Sequence, residues 1–154
     1  MSDMNRSSSH PWLSYTDTIA TARRDQLLLA ARILAGWIYF QGSWDKLADI
    51  PRFAGGLARR GVPLIFGYLA PFVEGLGGLS LMLGFATRYT ALLLILFTAG
   101  ASWTSHRYWL LPAAEQGRQA TQFWKNVTMM GGLLAIFVTA GGRFSIDRLL
   151  QRRS

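Results

Sequence analysis

Four apolar runs, at residues 27–44, 64–86, 89–104 and 123–140, constrain the fold of this chain more than any other feature. They are 16 to 23 residues long. At about 1.5 Å of rise per residue they would extend roughly 24 to 35 Å as helices, the thickness of a bilayer's hydrocarbon core. A helix on the surface of a soluble protein shows a charged or polar face to water at every turn, and these runs show none. They predict an all-α integral membrane protein, a four-helix antiparallel bundle with helices over 27–44, 64–86, 88–104 and 123–140. A polar, disordered tail is expected at 1–26 and a basic tail at 143–154. The alternative, a soluble bundle of buried helices, is disfavoured by the missing charged faces.

The first 26 residues are polar and the first apolar run exceeds the length of a signal peptide's apolar region, so no cleavable signal is expected and the first helix reads as a retained anchor. Cysteine is absent, which excludes disulfides, thiolate nucleophiles and cysteine-ligated iron–sulfur clusters. Of the two histidines, His10 lies in the tail and only His106 in the body, so the body alone cannot supply a bis-histidine haem. No metal site and no covalently bound cofactor is expected. The net charge of +8 does not indicate nucleic acid, since no basic stripe interleaves with aromatics on a soluble face. In a membrane protein such charge orients the chain and meets anionic lipid.

Four antiparallel crossings with both termini cytoplasmic would place eight positive residues on the cytoplasmic side: Arg6, Arg23, Arg24, Arg88, Arg143, Arg148, Arg152 and Arg153. Seven would lie opposite: Lys46, Arg52, Arg59, Arg60, Arg107, Arg118 and Lys125. The excess is small but favours cytoplasmic termini. The same topology brings Asp45, Lys46, His106, Arg107, Lys125 and Asn126 to one end of the bundle, with Trp44, Trp103, Trp109, Trp124 and Tyr108. Those aromatics fit an anchoring belt at headgroup level, or the mouth of a site for an amphiphile such as a quinone. The stretch 45–63 mixes apolar and charged residues at helical spacing around Pro51, as an interfacial segment or an ordinary loop would.

Three charges fall inside the apolar runs. Lys125, near the start of the fourth, can reach the interface along its stem, and Arg32 in the first can lean the opposite way. Glu74 has no such escape, because it lies near the middle of the second run. A charge at that depth costs about 2.5 kcal/mol or more, so the carboxylate must face protein, pair, or take up a proton. Helical spacing puts Ala70, Pro71, Gly77, Gly78 and Leu81 on the face of Glu74, a small-residue face that admits close packing. Helix 1 offers a matching stripe of Arg32, Ala35, Gly36, Tyr39, Gly42, Ser43 and Lys46. Antiparallel packing sets Arg32 roughly 10 Å in height from Glu74, against roughly 12 Å or more for Lys125. Arg32 is therefore the expected partner. The pair could fix helix register, relay protons, or hold a ligand inside the bundle.

The segments "ARILAGWIYFQGSWDKL", "EGLGGLSLMLGFATR", "FWKNVTMMGGLLAIF" and "GGRFSID" resemble, in order and spacing, the DoxX family of small four-helix bacterial membrane proteins. The resemblance extends from Ala31 to Asp147. It is carried most specifically by Glu74 with Gly77 and Gly78, by Thr87-Arg88, by Lys125-Asn126 with Gly131 and Gly132, and by Gly142-Arg143 with Asp147. One junction departs from the family pattern of a glycine close before a lysine: Ser43, Trp44 and Asp45 separate Gly42 from Lys46. The resemblance implies a multi-pass protein of the bacterial inner membrane, linked through some members to quinone-reducing assemblies that oxidise thiosulfate or handle thiol and oxidative stress. Without a metal centre of its own, such a chain would depend on a quinone, a partner oxidoreductase subunit, or both. Arg32, Tyr39 and Lys46 on helix 1, or His106 and Lys125 at the mouth, could donate to the quinone carbonyls. A lipid bilayer, an oxidoreductase partner and a second copy of the chain are the expected associates. A non-catalytic scaffold or small transporter using the intramembrane Glu74 and Arg32 is the alternative.

Overall fold

A computed structural model describes residues 11–152, and among them the chain forms seven α-helices and no strand. They are α1 (Pro11–Ala22), α2 (Arg24–Ala48), α3 (Ile50–Ala58), α4 (Leu64–Leu83), α5 (Thr87–Ser105), α6 (Ala113–Thr139) and α7 (Ile146–Gln151), with a 3₁₀ turn at Tyr108–Leu110. The all-α class expected from the sequence is observed. The four long helices α2, α4, α5 and α6 pack with neighbours antiparallel: Gly78 of α4 meets Gly36 of α2 and Gly75 meets Ser43, while Gly77 meets Leu94 of α5. At one end Arg88 of α5 reaches the Val138 carbonyl of α6, and towards the other Asn126 meets Ser102.

Glycine decides how close α2 and α4 come. A β-carbon on Gly78 would lie 2.6 Å from both the Gly36 carbonyl oxygen and the Phe40 nitrogen, so the two backbones touch where no side chain intervenes. Below this contact α3 folds back on the start of α4, and a β-carbon on Gly67 would lie 2.6 Å from the Ala54 α-carbon. Asp49 caps α3, its Oδ1 accepting from Arg52 N at 3.1 Å, and Pro51 suits the first turn, where a missing N–H costs nothing. The stretch 45–63 is thus the end of α2 followed by a packed helix.

Other boundaries also differ from the apolar runs. Residues 11–22 form α1 where a disordered tail was expected, and the first ten residues lie outside the described ones. The first long helix begins at Arg24 and continues to Ala48, because a helix does not stop where hydrophobicity stops. The fourth begins at Ala113 rather than 123, after Pro112 and with Glu115 in its first turn, both favourable to a helix start. The second ends at Leu83, where Gly84 turns left-handed (φ 68°) and Phe85 N donates back to Ser80 O at 3.0 Å.

The residues 143–154 are not a free tail over their described length: they strap the end of the bundle. Asp147 accepts from Ala86 N at 2.6 Å and Thr87 N at 2.8 Å, capping α5 from sixty residues away, and its own N–H donates to Gly84 O at 3.0 Å. Asp25 accepts from Arg143 N at 2.9 Å, and Ser145 Oγ caps α7 by accepting from Arg148 N at 3.2 Å.

The packing is inverted relative to a water-soluble bundle. Arg32, Ser43, Glu74, Thr87, Thr90, Thr98, Ser102, Asn126 and Ser145 are buried among a small core of Tyr39, Ala54, Leu81, Ala91, Leu94, Leu133 and Ile136. Large apolar side chains point outward, such as Leu34 (75% exposed), Tyr89 (81%) and Val138 (71%). Among the described residues one helix, α4, is long and apolar enough to cross a membrane by length and composition alone. The other three long helices have the length, but their charged ends and inward-facing hydroxyls dilute their apolar character.

Candidate functional site

The polar interior is concentrated where α2, α4, α5 and α6 face one another, towards the end at which α2 and α5 finish. Glu74 sits mid-helix on α4 with 8% of its surface exposed. Its partner is Lys46 of α2, whose Nζ bonds Glu74 Oε2 in an ion pair. Arg32 does not pair with it. The glycine contacts set the register: Gly36 lies level with Gly78 and Gly42 with Glu74, which carries Arg32 one turn up towards Gly84 and leaves Lys46 one turn past Glu74, from where its long stem reaches back to the carboxylate. Gly84 is ten residues beyond Glu74, or about 15 Å of helical rise.

Arg32 instead serves the strap. It is fully buried, its Nη2 donates to the Phe144 carbonyl, and the Asp147 carboxylate offsets its charge. Burial of an uncompensated cation costs several kcal/mol, and the Asp147 carboxylate, beyond ion-pair distance, reduces that cost through longer-range electrostatics.

Gly42, one turn before Lys46, leaves room for the carboxylate: a β-carbon there would come 3.0 Å from Glu74 Oε1. The three residues separating Gly42 from Lys46 therefore place both on one face, touching the same carboxyl group. Lys46 also lies 5.6 Å from the ring centre of Phe53 on α3. Its side chain keeps 28% of its surface open, against 10% for Glu74. The ion pair is thus closed on the Glu74 side and accessible on the Lys46 side.

Deeper in the bundle, Tyr39 Oη and Thr98 Oγ1 are 2.7 Å apart. Thr98 gives its single hydroxyl proton to the Leu94 carbonyl at 2.6 Å, so Tyr39 is the donor of the pair. Asn126 Nδ2 donates to Ser102 Oγ at 3.0 Å, and Ser102 donates to the Thr98 carbonyl at 2.7 Å. Ser43, beside Glu74 across Gly75, donates to Phe40 O. Thr98 and Ser102 belong to an inward hydroxyl stripe at helical spacing along α5, with Thr87 and Thr90, a pattern that carries no charge and so stands out little in an apolar run. Asp147 stood out in the sequence only through the family resemblance, and its capping of α5 has no local signal.

Of the remaining candidates, His106 Nδ1 bonds Gln119 Oε1 at 2.8 Å, and Lys125 Nζ donates to Gln122 Oε1 at 2.6 Å. Lys125 is exposed and acts on Glu74 through longer-range electrostatics alone. Asp45 is exposed at the end of α2, outside the polar group. The aromatics meet as expected in part: Trp103, Tyr108, Trp109, Phe123 and Trp124 form a contiguous cluster of tilted and edge-on rings with centres 5.2 to 6.1 Å apart, while Trp44 lies separately at a tilt to Phe40, 6.4 Å between centres. Among the described residues no group of three or more histidine, aspartate or glutamate side chains is placed to hold a metal ion.

The DoxX family model matches residues 27–107, which carry Gly42, Lys46, Glu74 and the hydroxyl stripe. The chain belongs to the DoxX family. A model of the SURF4 family also matches, over residues 75–152, from just past Glu74 through the strap. Two relatives from Escherichia coli (strain K12) align over 129 residues, or 82% of this chain. The inner membrane protein YphA is 32% identical with 92% of its length covered, and the inner membrane protein YqjF is 33% identical with 93% covered. No solved structure matches the chain.

Proposed function

We propose that this DoxX-family chain crosses the bacterial inner membrane four times, through α2, α4, α5 and α6, with both termini cytoplasmic. It serves there as a quinone-linked accessory subunit of a redox assembly concerned with thiosulfate, thiols or oxidative stress. The inverted packing supports the membrane setting, since nine buried polar residues and an apolar exterior suit lipid as solvent. The names of YphA and YqjF support the same location.

The observation that carries the redox reading is the half-open Lys46–Glu74 pair in an apolar wall. A quinone ring entering from the lipid beside α2 would accept from Lys46 Nζ, while Glu74, beside it, is the group able to deliver or take a proton as the ring is reduced or reoxidised. Gly42 keeps the carboxylate accessible, and Phe53 and the exposed Trp44 offer apolar surface for the ring. The electrons come from a partner oxidoreductase, because the chain has no cysteine and a single body histidine with which to hold a metal centre.

Purification in mild detergent tests this directly. Quinone in the lipid extract of the wild-type protein, its loss in Lys46→Met, and a co-purifying oxidoreductase are expected. A quinone-free protein without a partner overturns the proposal. One observation favours a second reading, a non-catalytic scaffold: Gly36 and Gly78 above the pair and Gly75 against Ser43 lock α2 to α4 at the same level, so the ion pair also suits a register-fixing role. Under that reading Glu74→Gln leaves every activity of the assembly intact.

A further inference from the structure

A second polar feature lies at the opposite end of the bundle, where α2 begins and α6 ends. A cleft of about 470 Å³ there is lined by Arg24, Arg143, Arg148 and Arg152, with Asp25 and Asp147 and the backbone of residues 140–142. The two aspartates are already engaged. Asp25 accepts from Arg143 N, and both oxygens of Asp147 accept from the start of α5. Among the described residues none of the four guanidiniums has a carboxylate within ion-pair distance.

Behind this wall the positive charge continues inward. Arg32 is fully buried, yet its Nε and Nη1 have no hydrogen-bond partner, nor does Thr87 Oγ1. These donors lie one residue layer from the cleft. Thr87 Oγ1 would be 2.8 Å from a β-carbon on Gly141, a lining residue, and a β-carbon on Gly84 would collide with Arg32 Nη1 and lie 2.6 Å from the β-carbon of lining Ser145. The wall itself is bent to shape: Ala140 has φ 59° and ψ −166°, a conformation that is ordinarily glycine's, and Gly142 has φ 69°. Four unpaired guanidiniums around a concave backbone, backed by a buried one, form a site for a tetrahedral oxyanion, whose oxygens match the forked N–H donors.

We propose that this cleft binds the phosphate of an anionic lipid headgroup at the membrane surface. The same chemistry would accept free phosphate. The lipid source rests on the membrane-embedded reading above, which places the ends of α2, α5 and α6 at the headgroup level, where each arginine adds to the attraction for anionic lipid. The volume exceeds the needs of one phosphate and leaves space for the rest of a headgroup.

The test uses the full chain in neutral detergent, followed by native mass spectrometry with added phosphatidylglycerol or phosphatidylcholine, and by thermal melting with inorganic phosphate. Retention of phosphatidylglycerol over phosphatidylcholine is expected, and Arg143→Gln with Arg148→Gln should reduce it by about tenfold to thirtyfold. Arg88→Gln, at the same end but outside the cleft, should leave it unchanged. Both variants replace exposed side chains, and an unaltered melting temperature in the absence of ligand verifies their fold. Stabilisation by inorganic phosphate without lipid preference, lost in the double variant, identifies a free anion as the ligand. Equal retention of the two lipids with no effect of phosphate overturns the site, as does a preference that Arg88→Gln and the double variant reduce alike. None of these readouts involves quinone, so they stand even if the redox proposal fails.

Discussion

The two ends of the bundle face the same physical problem, a cation brought into an apolar interior, and they solve it in opposite ways. At the strap end, Arg32 is closed off from the surface: a backbone carbonyl takes one of its donors, and a carboxylate fixed by two N–H groups acts on its charge from beyond ion-pair distance. At the other end Lys46 and Glu74 satisfy each other through side chains alone, and Lys46 stays partly open. The closed arrangement uses backbone groups recruited from sixty or more residues away, which cannot move without unfolding a helix cap. The open one joins two side chains on neighbouring helices, which can exchange partners. Structural rigidity therefore belongs with Arg32 and exchangeable contacts with Lys46 and Glu74.

The largest expected effect breaks the closed end. Asp147→Ala removes the acceptors of two N–H groups at the start of α5 and the electrostatic support of Arg32, and should cost about 3 to 5 kcal/mol. Thermal melting of the detergent-solubilised protein measures it, and a melting temperature within a degree or two of wild type would contradict the assigned role of the strap. Next comes the contact that sets the register of both ends. Gly78→Ala forces the α2 and α4 backbones apart and should cost about 1 to 3 kcal/mol.

The open end should respond with a smaller change in stability and a larger one in function. Glu74→Gln preserves the shape and a hydrogen-bonding oxygen for Lys46, and because Lys46 is partly open the loss should be about 1 kcal/mol or less. Under the proposed redox function, quinone-linked activity should fall at least tenfold in the same variant. A loss of stability as large as that of Asp147→Ala would erase the distinction between the two ends. The smallest effect is expected at Gly131 and Gly132, where an added β-carbon meets nothing within 4 Å. Alanine there should be neutral or stabilise by about 0.5 to 1 kcal/mol, the helix-propensity difference. A loss at either position would reveal a neighbour, such as a second copy, packed on that face of α6.

Much of this architecture was legible in the chain itself. The four apolar runs located the long helices, and the spacing of Gly77, Gly78 and Leu81 around Glu74 identified the packed face of α4. The stripe on helix 1 already contained both Arg32 and Lys46. What failed was the choice between them: Gly42 lies level with Glu74, and Lys46, one turn further along a helix that continues four residues past the last apolar one, reaches back to the carboxylate along its stem. Helix ends are set by caps and turn geometry, and here they were marked by Asp49 and by Pro51 two residues on, not by the last apolar residue.

By itself, the sequence determined that the chain is all-helical, that it has no cysteine and a single body histidine, and that Glu74 needs a partner inside the bundle. These follow from hydropathy, composition and the cost of an unpaired charge, which are local or additive properties. Only the tertiary structure decided which cation Glu74 meets, what Arg32 is for, and why the "GGRFSID" segment returns to the start of α5. Those depend on register, and register is set where the backbones of Gly36 and Gly78 touch, a contact between residues more than forty apart that no local pattern specifies.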